Sequence, residues 1–120
     1  MIDARQIPLA LYVHLPWCVR KCPYCDFNVY RQRGADSADL VDAIAKDIAG
    51  HAQRFGRREL TSIFFGGGTP SLLEAKHVAQ LIEATSRSFD LASDCEVTLE
   101  ANPEDASRFA DQAVAGVTRF

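Results

Sequence analysis

Apolar positions along the chain recur at two periods, one that suits strands and one that suits helices. Leu9 to Leu15 (LALYVHL) is a short apolar run rich in strand formers and closed by Pro16, which predicts a first strand. From Ser37 to His51, Leu40, Val41, Ile44 and Ile48 fall at spacings of three and four, the mark of one buried helix face. Asp36 and Asp39 near the start of that stretch and Gly50 near its end agree with the polarity of a helix. Leu60 to Phe65 (LTSIFF) predicts a second strand that runs straight into Gly66, Gly67, Gly68, Thr69 and Pro70. A second helix is predicted over Glu74 to Ser88, with Val78, Leu81 and Ile82 on one face and Ser71 and Glu74 spaced as a capping box. Glu96 to Leu99 predicts a third strand, Asp105 to Ala115 a shorter helix stopping at Gly116, and Val117 to Phe120 the start of a fourth strand.

Strands alternating with helices imply βαβ crossovers and a parallel sheet, and so an α/β fold of the barrel or open type. The 120 residues fall well short of the roughly 250 of a closed eight-unit barrel. Residues 1–120 therefore read as the N-terminal portion of an incomplete barrel domain. Its unpaired sheet edge and uncovered apolar face predict marginal stability or aggregation in isolation.

A chain that is 48% apolar and 24% charged has the composition of one folded core rather than of a disordered tail. The net charge of −3 provides no basic excess for nucleic acid or anionic lipid. No stretch reaches the roughly 20 apolar residues of a membrane span, and the start of the chain lacks the pattern of a signal peptide. A cytoplasmic location is expected, where cysteines stay reduced and pair poorly as disulfides.

Three of the four cysteines crowd into Cys18-Val-Arg-Lys-Cys22-Pro-Tyr-Cys25, a C-x3-C-x2-C spacing just after the first strand. Thiolates are soft ligands for iron–sulfur clusters and zinc, and three on one short loop can reach three irons of a cubane. The fourth iron is then open. S-adenosylmethionine (SAM) can chelate it through its amino and carboxylate groups, take an electron at its sulfonium and yield a 5′-deoxyadenosyl radical, the cofactors carrying the difficult chemistry. Two plainer readings compete. Positions 18, 22 and 25 also share a helix face, but Pro23 inside such a helix costs roughly 3 kcal/mol or more. Structural zinc prefers four ligands in two pairs, whereas the remaining Cys95 lies on another predicted strand and His14, His51 and His77 show no paired spacing with the loop.

Gly66-Gly67-Gly68-Thr69-Pro70 follows the second strand, at the edge where a parallel sheet presents its ligands. Its backbone groups can meet the SAM amino group, while the missing Lys-Ser or Lys-Thr argues against a phosphate loop. Taken alone, the segment reads equally well as a turn. Glu100, at the end of the third strand and beside Asn102 and Pro103, belongs to the same edge, where its carboxylate can accept hydrogen bonds from ribose hydroxyls or from the SAM amino group. The alternative is a solvated loop carboxylate. Cys95 reads as a small buried apolar residue.

With LYVHLPWCVRKCPYCDFN, SIFFGGGTPSLL and EVTLEANPED in this order, the chain resembles radical SAM proteins of the HemN/HemW group over about residues 9 to 120. The resemblance implies a partial (β/α)6 barrel in which Cys18, Cys22 and Cys25 hold a [4Fe–4S] cluster. It also implies that Tyr12, Tyr24, Gly67, Gly68, Thr69 and Glu100 contact SAM. Two residues beyond Cys25, the coproporphyrinogen III dehydrogenases of the group carry a further cysteine, where its haem chaperones carry phenylalanine; here the residue is Phe27. The resemblance therefore leans toward the chaperones, with haem or porphyrin bound outside this segment and haem-accepting apoproteins as partners. Oxidative decarboxylation of coproporphyrinogen III is the alternative, and a zinc-stabilised interaction module a more distant one.

Overall fold

The structure, a computed structural model, describes Asp3 and residues 6–18, 30–31 and 37–120, and of Cys18, Tyr30 and Arg31 the backbone alone. Its centre is a three-stranded parallel sheet of β1 (Leu9–Leu15), β4 (Glu59–Gly67) and β5 (Asp90–Leu99), in the order β1-β4-β5. Two short strands, β2 (Trp17–Cys18) and β3 (Tyr30–Arg31), pair in parallel beside it. The helices are α1 (Ser37–Phe55), α2 (Ala75–Ser88) and α3 (Phe109–Ala115). Single 3-10 segments, Pro70–Leu72 and Pro103–Arg108, lead into α2 and α3.

Period-two alternation sorts each strand's side chains between two environments. Val13, Leu15, Ile63, Phe65, Val97 and Leu99 are buried, and they form one core with Val41 and Ile48 of α1 and Val78 and Leu81 of α2. The helix stripes predicted from spacing are the faces that pack on the sheet. Intervening positions look the other way: Tyr12 is 56% exposed, Phe64 is 39% exposed and His14 is half-buried. Tyr12 pairs with Phe64, Phe64 with Thr98, and His14 with Gly66. The sheet face away from the helices thus carries aromatic and polar side chains in register.

The elements correct the sequence reading at several ends. Helix α1 does not stop near Gly50 but runs on to Phe55. It ends at Gly56, whose φ of +76° suits a residue without Cβ and whose N–H donates to Ala52 O at 2.8 Å. Gly50 is thus an interior helix residue with nothing within 4 Å of where a Cβ would stand. Gly50→Ala should stabilise the fold by about 0.5–1 kcal/mol through backbone entropy, measured as a raised denaturation midpoint; an unchanged or lowered midpoint would contradict an interior position.

Strand β5 starts at Asp90 rather than at Glu96. Asp90 and Leu91 pair with Glu59 and Leu60, and pairing resumes at Glu96 opposite Ser62. Four residues of β5 therefore stand against one of β4, a large bulge in which Ser93 and Asp94 are exposed. Cys95, half-buried there, packs against the core as expected of a small apolar side chain, and its thiol pKa is raised by burial and then by the Asp94 charge. The predicted third helix is split into the 3-10 segment and α3, and it ends at Gly116 as expected. Arg119 forms a parallel bridge to Thr98, in the place predicted for a fourth strand. Among the described residues no helix is long and apolar enough to cross a membrane.

The capping box is also corrected. Glu74 is the N-cap of α2 and makes no side-chain cap bond. Ser71 lies in the preceding 3-10 segment, fully buried, and its hydroxyl donates to Asp105 Oδ2 at 2.7 Å. The acceptor side of that hydroxyl, which a capping box would offer to a helix N–H, takes the N–H of Asn102 at 3.1 Å.

Candidate functional site

Because the strands are parallel, β1, β4 and β5 all release their chains at one edge. The loop after β4 is fastened to the chain leaving β1. Gly68 N–H donates to Leu15 O at 2.8 Å and Thr69 N–H to Trp17 O at 2.8 Å, and Trp17 directly precedes Cys18. The glycine segment and the entry to the cysteine loop are therefore one hydrogen-bonded unit. The side chain of Cys18, and Cys22, Tyr24, Cys25 and Phe27 altogether, lie outside the described residues.

Glu100 leaves β5 at the same edge, with its N–H bonded to Phe65 O at 3.0 Å. Its carboxylate lies above Gly66: a Cβ on that glycine would stand 2.6 Å from Glu100 Oε1, 2.8 Å from Phe64 Cε1 and 2.9 Å from Tyr12 Cε2. The missing side chain is what lets these three groups converge. Tyr12 and Phe64 stack at 6.0 Å between centroids and 21° between planes. Next along the edge, a Cβ on Gly67 would stand 2.7 Å from Leu15 O and 2.9 Å from the ring of His14, and its φ is +117°.

The Tyr12 hydroxyl lies 3.2 Å from His14 Nδ1. Burial, and after it the Glu100 charge, raises the Tyr12 pKa above its ordinary value of 10.0, so the phenol is neutral near pH 7. With the imidazole proton on Nε2, that phenol donates to Nδ1 and the ring of His14 is fixed between Tyr12 and Gly67. The structure thus gathers Tyr12 and Glu100 over Gly66, with Gly67, Gly68 and Thr69 following at the same sheet edge. It adds two neighbours not singled out from sequence, Phe64 and His14, and puts Gly66 of the glycine segment beneath Glu100 and Tyr12. Strand alternation carries their signal, since Phe64 and Gly66 must share a face and His14 must follow Tyr12 onto it.

A model of the radical SAM superfamily matches residues 12–120. The chain belongs to that superfamily. A [4Fe–4S] cluster and SAM are the cofactors this membership implies. Among relatives, the haem chaperone HemW of Haemophilus influenzae is 44% identical over 94% of this chain and 31% of its own length, and HemW of Escherichia coli is 44% identical with the same coverages. A mitochondrial radical S-adenosyl methionine domain-containing protein of Bos taurus is 46% identical over 92% of this chain and 26% of its own. The solved structure of the E. coli radical SAM enzyme coproporphyrinogen III oxidase, HemN, superposes with a TM-score of 0.85 at 29% identity, covering 96% of this chain and 27% of the enzyme. The α/β, parallel-strand reading and the resemblance to the HemN/HemW group are borne out. The chain spans about a third of the length of the HemW relatives it matches.

Proposed function

We propose that this radical SAM chain is the cluster- and SAM-binding portion of a haem chaperone of the HemW type, with residues 1–120 forming the first part of its barrel. Cys18, Cys22 and Cys25 supply the three thiolates of the cluster, and Tyr12, Tyr24, Gly67, Gly68, Thr69 and Glu100 hold SAM. Haem is bound by other parts of the longer protein and passed to apoproteins in the cytoplasm. The bound cluster and SAM together supply one-electron chemistry at the sulfonium.

The residues of the edge fit SAM in their polarity. Gly68 and Thr69 spend their N–H groups on Leu15 and Trp17, so these two donors are not available to a phosphate, whereas an ammonium needs only acceptors. Glu100, exposed beside it, adds an acceptor and a negative charge for the same ammonium or for ribose hydroxyls. Gly66 lets Glu100 and Tyr12 approach over its backbone. The aromatic pair Tyr12 and Phe64 gives this edge an apolar wall.

The observation that carries the subfamily is the 44% identity to two HemW chaperones, against 29% to HemN. Phe27 supports it, since a phenyl ring cannot ligate metal or carry a thiol's redox chemistry. The full-length protein should bind haem in a spectroscopic titration, and in an anaerobic assay with SAM and reductant it should not convert coproporphyrinogen III to protoporphyrinogen IX. Robust decarboxylation without haem binding would move it to the dehydrogenases.

A further inference from the structure

Glu100 and the glycine segment belong to different loops, and their usefulness as one site depends on what sets the distance between them. We infer that Ser71 is the positioning residue that does so, with Asp105 and Gln112 as its supports; the inference rests on the SAM reading of the preceding section. Ser71 is fully buried at the end of the glycine segment. Its hydroxyl accepts the N–H of Asn102 at 3.1 Å and donates to Asp105 Oδ2 at 2.7 Å. Asn102 is two residues past Glu100. The hydroxyl therefore uses both of its hydrogen-bonding capacities on the segment that carries Glu100.

The same turn is held from behind. Gln112 of α3, also fully buried, donates its amide to Ser71 O at 3.2 Å and to Leu73 O at 2.9 Å. Arg108 Nη1 donates to Leu72 O at 2.6 Å. Glu100 is fixed on its other side by the bond from its N–H to Phe65 O. The side-chain hydrogen bonds of this strut all run between the segment after β4 and the segment after β5. A buried hydroxyl with two long-range partners is costly to keep unless both are satisfied, since an unpaired partner forfeits its hydration without return. The residue lies outside the SAM contacts and acts on them through the backbone.

The test compares SAM titrations of the reduced cluster, followed by electron paramagnetic resonance, in the full-length protein and its variants. Ser71→Ala should keep its iron content yet need about tenfold more SAM for half of the spectral change, the ratio that corresponds to 1.4 kcal/mol. Asp105→Ala, at a half-buried surface turn, should fold and show a loss in the same direction, and Asp105→Asn, which keeps an acceptor oxygen, should recover most of it. Thr85→Ala is the control: its hydroxyl is as buried as that of Ser71 and bonds Leu81 O at 2.7 Å, but within α2, so it should lose stability and keep its SAM response. A SAM response unchanged in both Ser71→Ala and Asp105→Ala would overturn the strut while leaving the SAM reading standing. An equal loss in Thr85→Ala would reduce Ser71 to a packing residue. No SAM response in the unaltered protein would overturn the SAM reading itself, and the strut with it.

Discussion

Alanine at Cys18, Cys22 or Cys25 is expected to take the reconstituted protein from about four irons per chain to almost none, because a three-cysteine cubane has no spare protein ligand. The change should be all-or-none and equal at the three positions. Cys95→Ala should retain the full complement: that side chain is half-buried in the bulge of β5 and packs against the core, and its raised thiol pKa disfavours the thiolate that metal needs. Anaerobic reconstitution with iron and sulfide, followed by iron analysis and the cluster absorbance, measures both. One zinc per chain in place of iron would restore the zinc reading. Loss of iron in Cys95→Ala would show the ligand set to be wrong.

The parts of this fold that the sequence discloses are those with local causes. LALYVHL ends at a proline, and β1 has the limits that the pattern assigns. The buried stripe of α1 follows from spacing and continues from Ile48 to Ala52, past Gly50, which is tolerated inside a helix long enough to absorb its cost; the terminating glycine is Gly56. The first half of β5 is hidden because a bulge breaks the alternation at Ala92 to Cys95. Ser71 shows why short motifs mislead. Its spacing to Glu74 is that of a capping box, but Asn102, far away in sequence, donates its N–H to the hydroxyl where a helix N–H would have done so.

The candidate site divides in the same way. The cysteine spacing, the glycine segment and Glu100 each stand next to a strand end, so a parallel sheet makes their common edge legible. What cannot be read from the chain alone is which loop groups face a ligand. The N–H groups of Gly68 and Thr69 have no assigned partner in sequence, and the structure commits both to the chain that enters the cysteine loop. That commitment removes two donors that an anion would need.

Adjacent glycines at this edge should fail in different ways when each is given a single methyl group. A Cβ at Gly66 meets the ends of three side chains, Glu100, Phe64 and Tyr12, at 2.6 to 2.9 Å. Exposed side-chain ends can move aside, so Gly66→Ala should fold and hold its cluster, but with Glu100 and Tyr12 displaced from their places over the glycine. The loss of a charged hydrogen bond, about 1.5–3 kcal/mol, would raise the SAM needed for half of the spectral change by roughly tenfold to a hundredfold. At Gly67 the obstacle is backbone: Leu15 O lies 2.7 Å from the Cβ position and φ is +117°, where side chains are strained whatever the space. Gly67→Ala should therefore destabilise the fold by about 1–3 kcal/mol, seen in the denaturation midpoint before any SAM is added. The two readouts separate the roles, since one variant loses ligand at full stability and the other loses stability first. A Gly66→Ala protein that binds SAM as tightly as the unaltered chain would mean that the ligand does not depend on the placing of Glu100 and Tyr12 over Gly66, and the site would have to lie elsewhere along the edge.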